Sequence, residues 1–421
     1  MEKGIVVGVN TSKNDFSFQN EIKELKSLCE ACNIEIVEEI TQNLDEQNIK
    51  SYIGKGKLEE LKIAINATDA DVIICNDELS PSQISNLQKI LDVLVFDRTY
   101  VILEIFKRRA KTKEAILQVD IASLKYMLPR LSGLRNGFSR QRGAGGMAHG
   151  KGKGETQLEI DRRNIAARIS ILKKELLELT TNRQVQRQKR KDNNFKTVCL
   201  VGYTNSGKST TLNRLLQYSK EVKKEVLEKD MLFATLETST RKIKLENNCQ
   251  FLVTDTVGFV NKLPHELVEA FKSTLEEIKE SDLVLHIIDA SNEHFEEQIS
   301  ATTSVLDSIG VKDIPILYVF NKIDKVNGYF YIPPKYENAI RISSKNDVNI
   351  YNLLQEIQKQ LFKPFKTTTF IIPYSKGEII NNLKENANVL EIDYKEFIFV
   401  KASVNEHLYN LYKNYEKSNN I

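Results

Sequence analysis

Eight consecutive residues, Gly202-Tyr203-Thr204-Asn205-Ser206-Gly207-Lys208-Ser209, fit the pattern G-x-x-x-x-G-K-[ST] and constrain the fold more tightly than any other stretch of the chain. Their flanks agree with them. Phe195 to Val201 is an apolar, β-branched run that predicts a buried strand, and Ser-Thr-Thr-Leu-Asn-Arg-Leu-Leu after Lys208 carries apolar residues at helical spacing. A strand, a glycine-bearing turn and a helix start leave several backbone N–H groups pointing into one hollow. Those donors and the positive end of the helix dipole suit a polyphosphate. Gly202 and Gly207 are expected where a Cβ would block close approach of backbone to phosphate. Lys208 is expected to reach the β- and γ-phosphate oxygens, and the Ser209 hydroxyl to ligate Mg²⁺. Tyr203, Thr204, Asn205, Ser206 and Thr210 complete the expected phosphate-binding set.

Further motifs fall at the ends of further predicted strands. Gln250 to Thr254 runs into Asp255-Thr256-Val257-Gly258. An acid at the carboxyl end of a neighbouring parallel strand can hold the metal through water, and Gly258 can offer its N–H to a γ-phosphate because no side chain intervenes. Ile314 to Phe320 leads into Asn321-Lys322-Ile323-Asp324. A carboxylate there accepts from the N1–H and 2-amino groups of guanine, donors that adenine lacks; a buried carboxylate left unpaired makes that discrimination large. The stem of Lys322 can cover the base and Asn321 can bond its other edge. A strand over 338–342 then delivers Ser343-Ser344-Lys345 to the base carbonyl. The expected ligands are GTP and GDP with Mg²⁺, and the expected reaction is hydrolysis, with Lys208 and Gly258 at the reacting phosphate.

Asp230 to Arg241 is a hydroxyl-rich loop with few strand or helix signals. A threonine closing over Mg²⁺ in the GTP state belongs here; by chemistry Thr235, Thr238, Ser239 and Thr240 are all candidates. The residue after Gly258 is Phe259, where a Ras-like template has a water-orienting glutamine. A phenyl ring cannot orient water, so the isolated protein is expected to be slow and stimulated by docking onto a partner.

A length of 421 residues implies several domains. The expected class is α/β: a parallel α/β domain over 1–98, an antiparallel helical hairpin over 99–191, a phosphate-loop domain over 195–364 and a small βαββα domain over 365–421. No apolar run is long enough to span a bilayer, and no charged-then-apolar leader opens the chain. The five cysteines, at 29, 32, 75, 199 and 249, sit in apolar surroundings, which favours buried thiols and a reducing cytoplasm over disulfides or zinc. Net charge is only +3, so bulk electrostatics names no partner. Its distribution does: from Ile121 to Gly154 there is no acid, while Lys125, Arg130, Arg135, Arg140, Arg142, Lys151 and Lys153 all occur. Residues 132–154 hold most of the local glycines and predict a basic loop. On one side Leu103, Ala110, Leu117 and Leu124 keep a heptad rhythm, with Ile121 and Leu128. On the other, Leu158, Ile165, Leu172 and Leu179 do so with Ile169 and Leu176, which places the loop at a hairpin tip. Cationic, glycine-rich loops suit RNA phosphates and bases. Tyr52-Ile-Gly54-Lys-Gly56-Lys57 lacks phosphate-loop spacing and reads first as a helix-capping turn, with weak anion or nucleotide binding as the alternative.

Several strings together resemble the HflX family of ribosome-associated GTPases over nearly the whole length. They are Tyr52-Ile-Gly-Lys-Gly-Lys-Leu-Glu-Glu-Leu61, Leu79-Ser-Pro-Ser-Gln83, Asp97-Arg-Thr99, Gly154-Glu-Thr-Gln-Leu-Glu-Ile-Asp-Arg-Arg163, Phe233-Ala-Thr-Leu236 and the stretch from Leu263 to Glu277. The resemblance selects Thr235 as the metal-binding switch threonine and places Phe233, Ala234, Leu236 and Glu237 beside the nucleotide. It implies binding to the large ribosomal subunit and its rRNA, stimulation of GTP hydrolysis there, and splitting of stalled or idle ribosomes by a protein that is a monomer when free. A GTP-switched RNA-binding protein or a ribosome-assembly factor is the alternative. Two departures stand out. Met147-Ala148-His149 and Lys151-Gly152-Lys153 replace the family's arginine and proline in its glycine-rich segment, and the customary glycine after Ser344 is missing.

Overall fold

The computed structural model describes residues 2–11, 15–131, 153–192, 195–220, 233, 239–245, 249–262, 264, 267, 272–311, 313–362, 366–404 and 406–417. The chain divides into two compact units. One comprises Met1–Gln188, Lys229–Glu237 and Gly258–Thr274; the other comprises Lys189–Glu228, Thr238–Val257 and Leu275–Ile421.

The first unit contains four parallel strands, β1 (Glu2–Asn10), β2 (Ile34–Asn43), β3 (Val72–Cys75) and β4 (Leu94–Asp97), in the order β2-β1-β3-β4. Helices α1 (Asp15–Ala31), α2 (Lys55–Thr68), α3 (Pro81–Leu91) and α4 (Arg98–Arg109) connect or follow them. β1 is buried from Gly4 to Asn10 and β3 throughout. Such strands read as unbroken apolar runs because both faces of the sheet are covered. Several strings behind the family resemblance prove to be structural devices. Ser80 and Gln83 form a reciprocal capping box ahead of α3 with Pro81 in its first turn, an arrangement that satisfies two helix-end donors. Gly54 caps α2 and its N–H donates to Gln42 at 2.8 Å, so this turn caps a helix as its sequence suggests. Asp97 is wholly buried and accepts from Leu79 N (3.0 Å), Tyr100 N (2.9 Å) and the Tyr126 hydroxyl (2.8 Å). Burial pushes its carboxyl pKa upward against those donors.

The hairpin is built from α5 (Lys113–Met127) and α6 (Lys153–Asp192). Its seam sets Leu117, Ile121 and Leu124 against Ile165, Ile169, Leu172, Leu176 and Leu179. The heptad series from Leu103 is carried by two helices instead of one. α4 ends at Arg109, and Thr112 restarts the helix by accepting from Ala115 N, a cap chemistry that competes with helix continuation. Arg130 also departs from expectation. Rather than facing RNA it is 6% exposed, with its guanidinium donating to the carbonyls of Tyr126 (2.9 Å) and Leu79 (2.9 Å) and to Glu78 (3.1 Å), 3.8 Å from the Tyr126 ring centre. The buried carbonyls of Tyr126 and Leu79 and the buried Asp97 carboxylate, 3.7 Å away, need a cation, and Arg130 supplies it. Arg135, Arg140, Arg142 and Lys151 lie outside the described residues, as does the side chain of Lys153.

The second unit holds a six-stranded sheet, β5 (Lys196–Val201), β6 (Ser239–Lys244), β7 (Gln250–Asp255), β8 (Leu283–Asp289), β9 (Ile316–Asn321) and β10 (Ala339–Arg341). The order is β10-β9-β8-β5-β7-β6, parallel except for β6. Helices α7 (Lys208–Gln217), α8 (Lys272–Lys279), α9 (Phe295–Ser308) and α10 (Ile350–Leu361) complete the alternation. Val198, Leu200, Phe251, Val253, Leu285, Ile287, Leu317 and Val319 form the sheet's core with Leu212 and Leu215 of α7. The carboxyl-terminal βαββα order is as expected: β11 (Lys366–Ile372), α11 (Gly377–Asn386), β12 (Asn388–Tyr394), β13 (Ile398–Val404) and α12 (Glu406–Tyr412). Its sheet is antiparallel in the order β11-β13-β12, with Phe370, Val400 and Leu383 at its core. All five cysteines are buried thiols, and no helix among the described residues is long and apolar enough to cross a membrane.

Candidate guanine-nucleotide site

β5 lies between β8 and β7, and the chain leaves it at Gly202 to form a loop that ends as α7 begins at Lys208. Two glycines are required here for a reason the sequence did not show. At Gly202 (φ +148°) an added Cβ would sit 2.2 Å from the Ile287 carbonyl oxygen, and at Gly207 (φ +94°) it would sit 2.3 Å from the Asn321 amide nitrogen. The loop is therefore shaped by its neighbours in β8 and β9 as much as by any ligand. Asn205 takes a left-handed φ of +59° and stays exposed. The Lys208 ammonium is buried and donates to the carbonyls of Tyr203 (2.8 Å) and Gly202 (3.1 Å). Burial lowers its pKa to about 8; Asp255 opposes that shift and Lys322 adds to it. The Ser209 hydroxyl donates to Asp255 at 2.6 Å, while Thr210 sits half-buried on the first turn of α7. Thr256 is wholly buried and its hydroxyl donates to the Leu200 carbonyl at 2.7 Å, tying the segment after β7 to β5; Val257 follows it, also buried. The hydroxyls of Thr204 and Ser206 are buried with no hydrogen-bonding partner among the described residues.

The far side of the site is built from the ends of β9 and β10. Asn321 is 2% exposed, and its amide is taken at both ends: Nδ2 donates to the Ser206 carbonyl (2.9 Å) and Oδ1 accepts from Ser344 N (3.0 Å). It braces two loops, and Nδ2 carries a second N–H beyond the one given to Ser206. Lys322 adopts φ +63° and its ammonium pairs with Asp289 at 2.8 Å. Ile323 and Asp324 open a short 3₁₀ turn, in which the Asp324 carboxylate accepts from the Ser343 hydroxyl. Asp324 is exposed there, not buried as its expected role supposed, because the turn carries it beyond the strand end. Ser343 and Ser344 are buried. The Ser344 hydroxyl lies 2.8 Å from that of Thr211, and Arg214 donates to the carbonyls of Ser344 (2.8 Å) and Lys345 (2.9 Å).

Three contributors were missed in the sequence. The run Leu283 to Asp289 had the apolar character of a buried strand and ended in an acid, yet it contains no motif; it is β8, and it supplies Asp289. Thr211 and Arg214 lie on the helix after the phosphate loop, where sequence marks only apolar spacing. β6 was hidden as well. Ser239 and Thr240, read as loop candidates for metal binding, are strand residues opposite Asp255 and Thr254, and the Thr240 and Thr254 hydroxyls lie 3.0 Å apart. Only Ile243 of this edge strand is buried, so no apolar alternation announced it. Ala234, Thr235, Leu236, Glu237 and Thr238 lie outside the described residues. Phe233 belongs to the first unit, where it is 2% exposed with its ring centre 4.5 Å from that of Phe106; Gly258 and Phe259 are buried in the same unit.

A phosphate loop on β5, an acid ending β7 and Asn-Lys-x-Asp after β9, on one mostly parallel sheet, define a P-loop GTPase, an enzyme that binds and hydrolyses GTP. Residues 197–322 match the family described as 50S ribosome-binding GTPase; residues 19–107 and 109–190 match the N-terminal and middle regions of a GTP-binding GTPase family. The GTPase HflX of Caldanaerobacter subterraneus subsp. tengcongensis is 45% identical over 404 residues, covering 96% of this chain and 91% of its own. That of Escherichia coli K12 is 36% identical over 366 residues, covering 85% and 83%. The chain belongs to the HflX family of GTPases. Among solved structures, a GTP-binding protein from Sulfolobus solfataricus in complex with GDP is similar at 25% identity and a TM-score of 0.42, covering 86% of this chain and 99% of that one.

Proposed function

We propose that this GTPase works on the ribosome: it binds the large subunit and its rRNA, hydrolyses GTP there, and splits stalled or idle ribosomes into subunits. The observation that carries the reading is the paired seam of α5 and α6, whose intervening residues include Arg135, Arg140, Arg142 and Lys151, with Lys153 opening α6 and no acid from Ile121 to Gly154. A packed helical arm whose connecting residues carry cations and no acid matches a polyphosphate surface. The family description of residues 197–322 names the 50S ribosome. A cytoplasmic protein, monomeric when free, follows from this reading.

In the nucleotide site, the partnerless hydroxyls of Thr204 and Ser206 and the inward ammonium of Lys208 suit phosphate oxygens. Lys208 would leave the Gly202 and Tyr203 carbonyls for the β- and γ-phosphates, and the N–H groups of 203–210 would line the rest. The hard oxygens of Ser209 and Asp255, already in contact, suit Mg²⁺, with Asp255 acting through water and Thr235 as the switch ligand. That ion supplies charge neutralisation at the phosphates. Gly258 would donate to the γ-phosphate. Asp324 would accept from guanine, the Lys322 stem would cover the base, and the backbone of Ser343 to Lys345 would meet its carbonyl. With Phe259 in place of glutamine, the intrinsic rate is slow and the ribosome stimulates it.

Sedimentation of purified ribosomes with the protein and GTP tests the reading. Release of free subunits is expected; binding without release would indicate a GTP-switched RNA binder, and binding to immature particles alone an assembly factor. Replacing Arg135, Arg140 and Arg142 together with alanine is expected to weaken ribosome association and flatten its salt dependence while GTP affinity of the isolated protein stays unchanged.

A further inference from the structure

The helix that follows the phosphate loop also grips the loop after β10. Thr211, Arg214 and Tyr218 are spaced by three and then four, which sets them on one face of α7 and its cap. The Thr211 hydroxyl lies 2.8 Å from that of Ser344, and the Tyr218 hydroxyl donates to Asp347 at 3.0 Å. Arg214, between them, holds the backbone itself. Its Nε donates to the Ser344 carbonyl (2.8 Å) and Nη2 to the Lys345 carbonyl (2.9 Å), while Nη1 donates to Gln217 (3.0 Å). A planar fork on two successive carbonyls fixes their direction as well as their position.

The Ser344 carbonyl and the Lys345 N–H belong to one planar trans peptide and point opposite ways, so a grip on the carbonyl aims the N–H. The neighbouring donors are already taken: Ser343 N by the Val348 carbonyl, Ser344 N by Asn321 and Asn346 N by the Ser343 hydroxyl. The Lys345 N–H has no hydrogen-bond partner among the described residues. We propose that Arg214 is a positioning residue for guanine specificity, which by holding the Ser344 carbonyl aims the Lys345 N–H at the 6-carbonyl oxygen of the base. The helix that carries it begins at Lys208, so one rigid element sets the span from the phosphate loop to that donor. An aimed N–H rewards a carbonyl at position 6 and opposes the 6-amino group of adenine, where two donors would meet. This rests on the reading of Ser343 to Lys345 as the segment that meets the base carbonyl.

Binding of GDP and of 6-thio-GDP to the full chain, measured by calorimetry in magnesium buffer, tests it. Sulfur is a weak acceptor, and the thio base keeps the N1–H and 2-amino groups that Asp324 would read. The parent is expected to prefer GDP by about threefold to tenfold, the worth of one hydrogen bond. Arg214→Met, which keeps an apolar stem without the fork, is expected to bring the two affinities to within about twofold of each other, chiefly by weakening GDP. Arg214→Lys retains the charge but loses the fork, and its ratio is expected between those two. A parent-like ratio in Arg214→Met, or in Arg214→Lys where the first does not fold, overturns the proposal even if both nucleotides bind more weakly, since Arg214 would then serve stability alone. The parent by itself tests the underlying reading. If it binds GDP and 6-thio-GDP equally, the loop does not meet the carbonyl and the proposal falls with that reading; if it prefers GDP and the variants do too, the reading stands and only the role of Arg214 is lost.

Discussion

The amide of Asn321, at the end of β9, donates to the backbone carbonyl of Ser206 at 2.9 Å and so ties that strand to the phosphate loop. Through its other end it accepts from Ser344 N, so one buried side chain at the end of β9 fixes two loops of the site. Asn321→Ala leaves a buried carbonyl and a buried N–H without partners, each costing about 1–3 kcal/mol. The expected result is a stability loss of roughly 2–4 kcal/mol by urea unfolding, with GDP affinity falling at least tenfold. A variant as stable as the parent would show that the brace is dispensable.

Gly207→Ala attacks the same brace from the loop side. The new Cβ would meet the Asn321 amide at 2.3 Å in a backbone conformation of φ +94°. Backbone strain alone is worth about 1–3 kcal/mol, and the displaced amide adds to it. Loss of measurable GDP binding is expected in calorimetry, with a lower melting temperature; retained binding would mean that the loop relaxes around a methyl group.

Asp324→Asn should move the base preference from guanine towards xanthine, which accepts where guanine donates. Because Asp324 is exposed and held by Ser343, the change should spare stability to within about 0.5 kcal/mol. Competition between GDP and XDP for the variant reads the shift directly, and an unaltered ranking would remove Asp324 from the base-reading role.

His286, buried on β8, is kept neutral by its surroundings. Burial chiefly, and then the charge of Lys208, lower its pKa to about 3 from the ordinary 6.5. Since the folded value lies below the unfolded one, the unfolded chain binds the extra proton between these limits, and stability falls as pH drops from 6.5 towards 3. Relative to His286→Gln, the parent should lose about 1.4 kcal/mol per pH unit in that window. Urea unfolding at pH 7, 6 and 5 measures the difference; parallel pH dependences would show that His286 is not kept neutral.

The phosphate loop was legible in the sequence because it is contiguous: a strand end, a turn and a helix start lie within a dozen residues, and local backbone geometry follows from the glycines and apolar spacing. The alternation of strands and helices around the parallel strands of both large sheets, and the βαββα tail, were legible from local apolar spacing in the same way. Tertiary structure alone decided which partner each charge takes. Lys322 finds Asp289 33 residues away, Arg214 finds Ser344 130 residues away, and Lys262 finds Glu21 241 residues away. Arg130, one cation in an acid-free run, turned inward because the buried carbonyl of Leu79, 51 residues earlier in the chain, needed it. An ionic partner is chosen by distance and desolvation in three dimensions, and neither quantity is written in the order of residues along the chain.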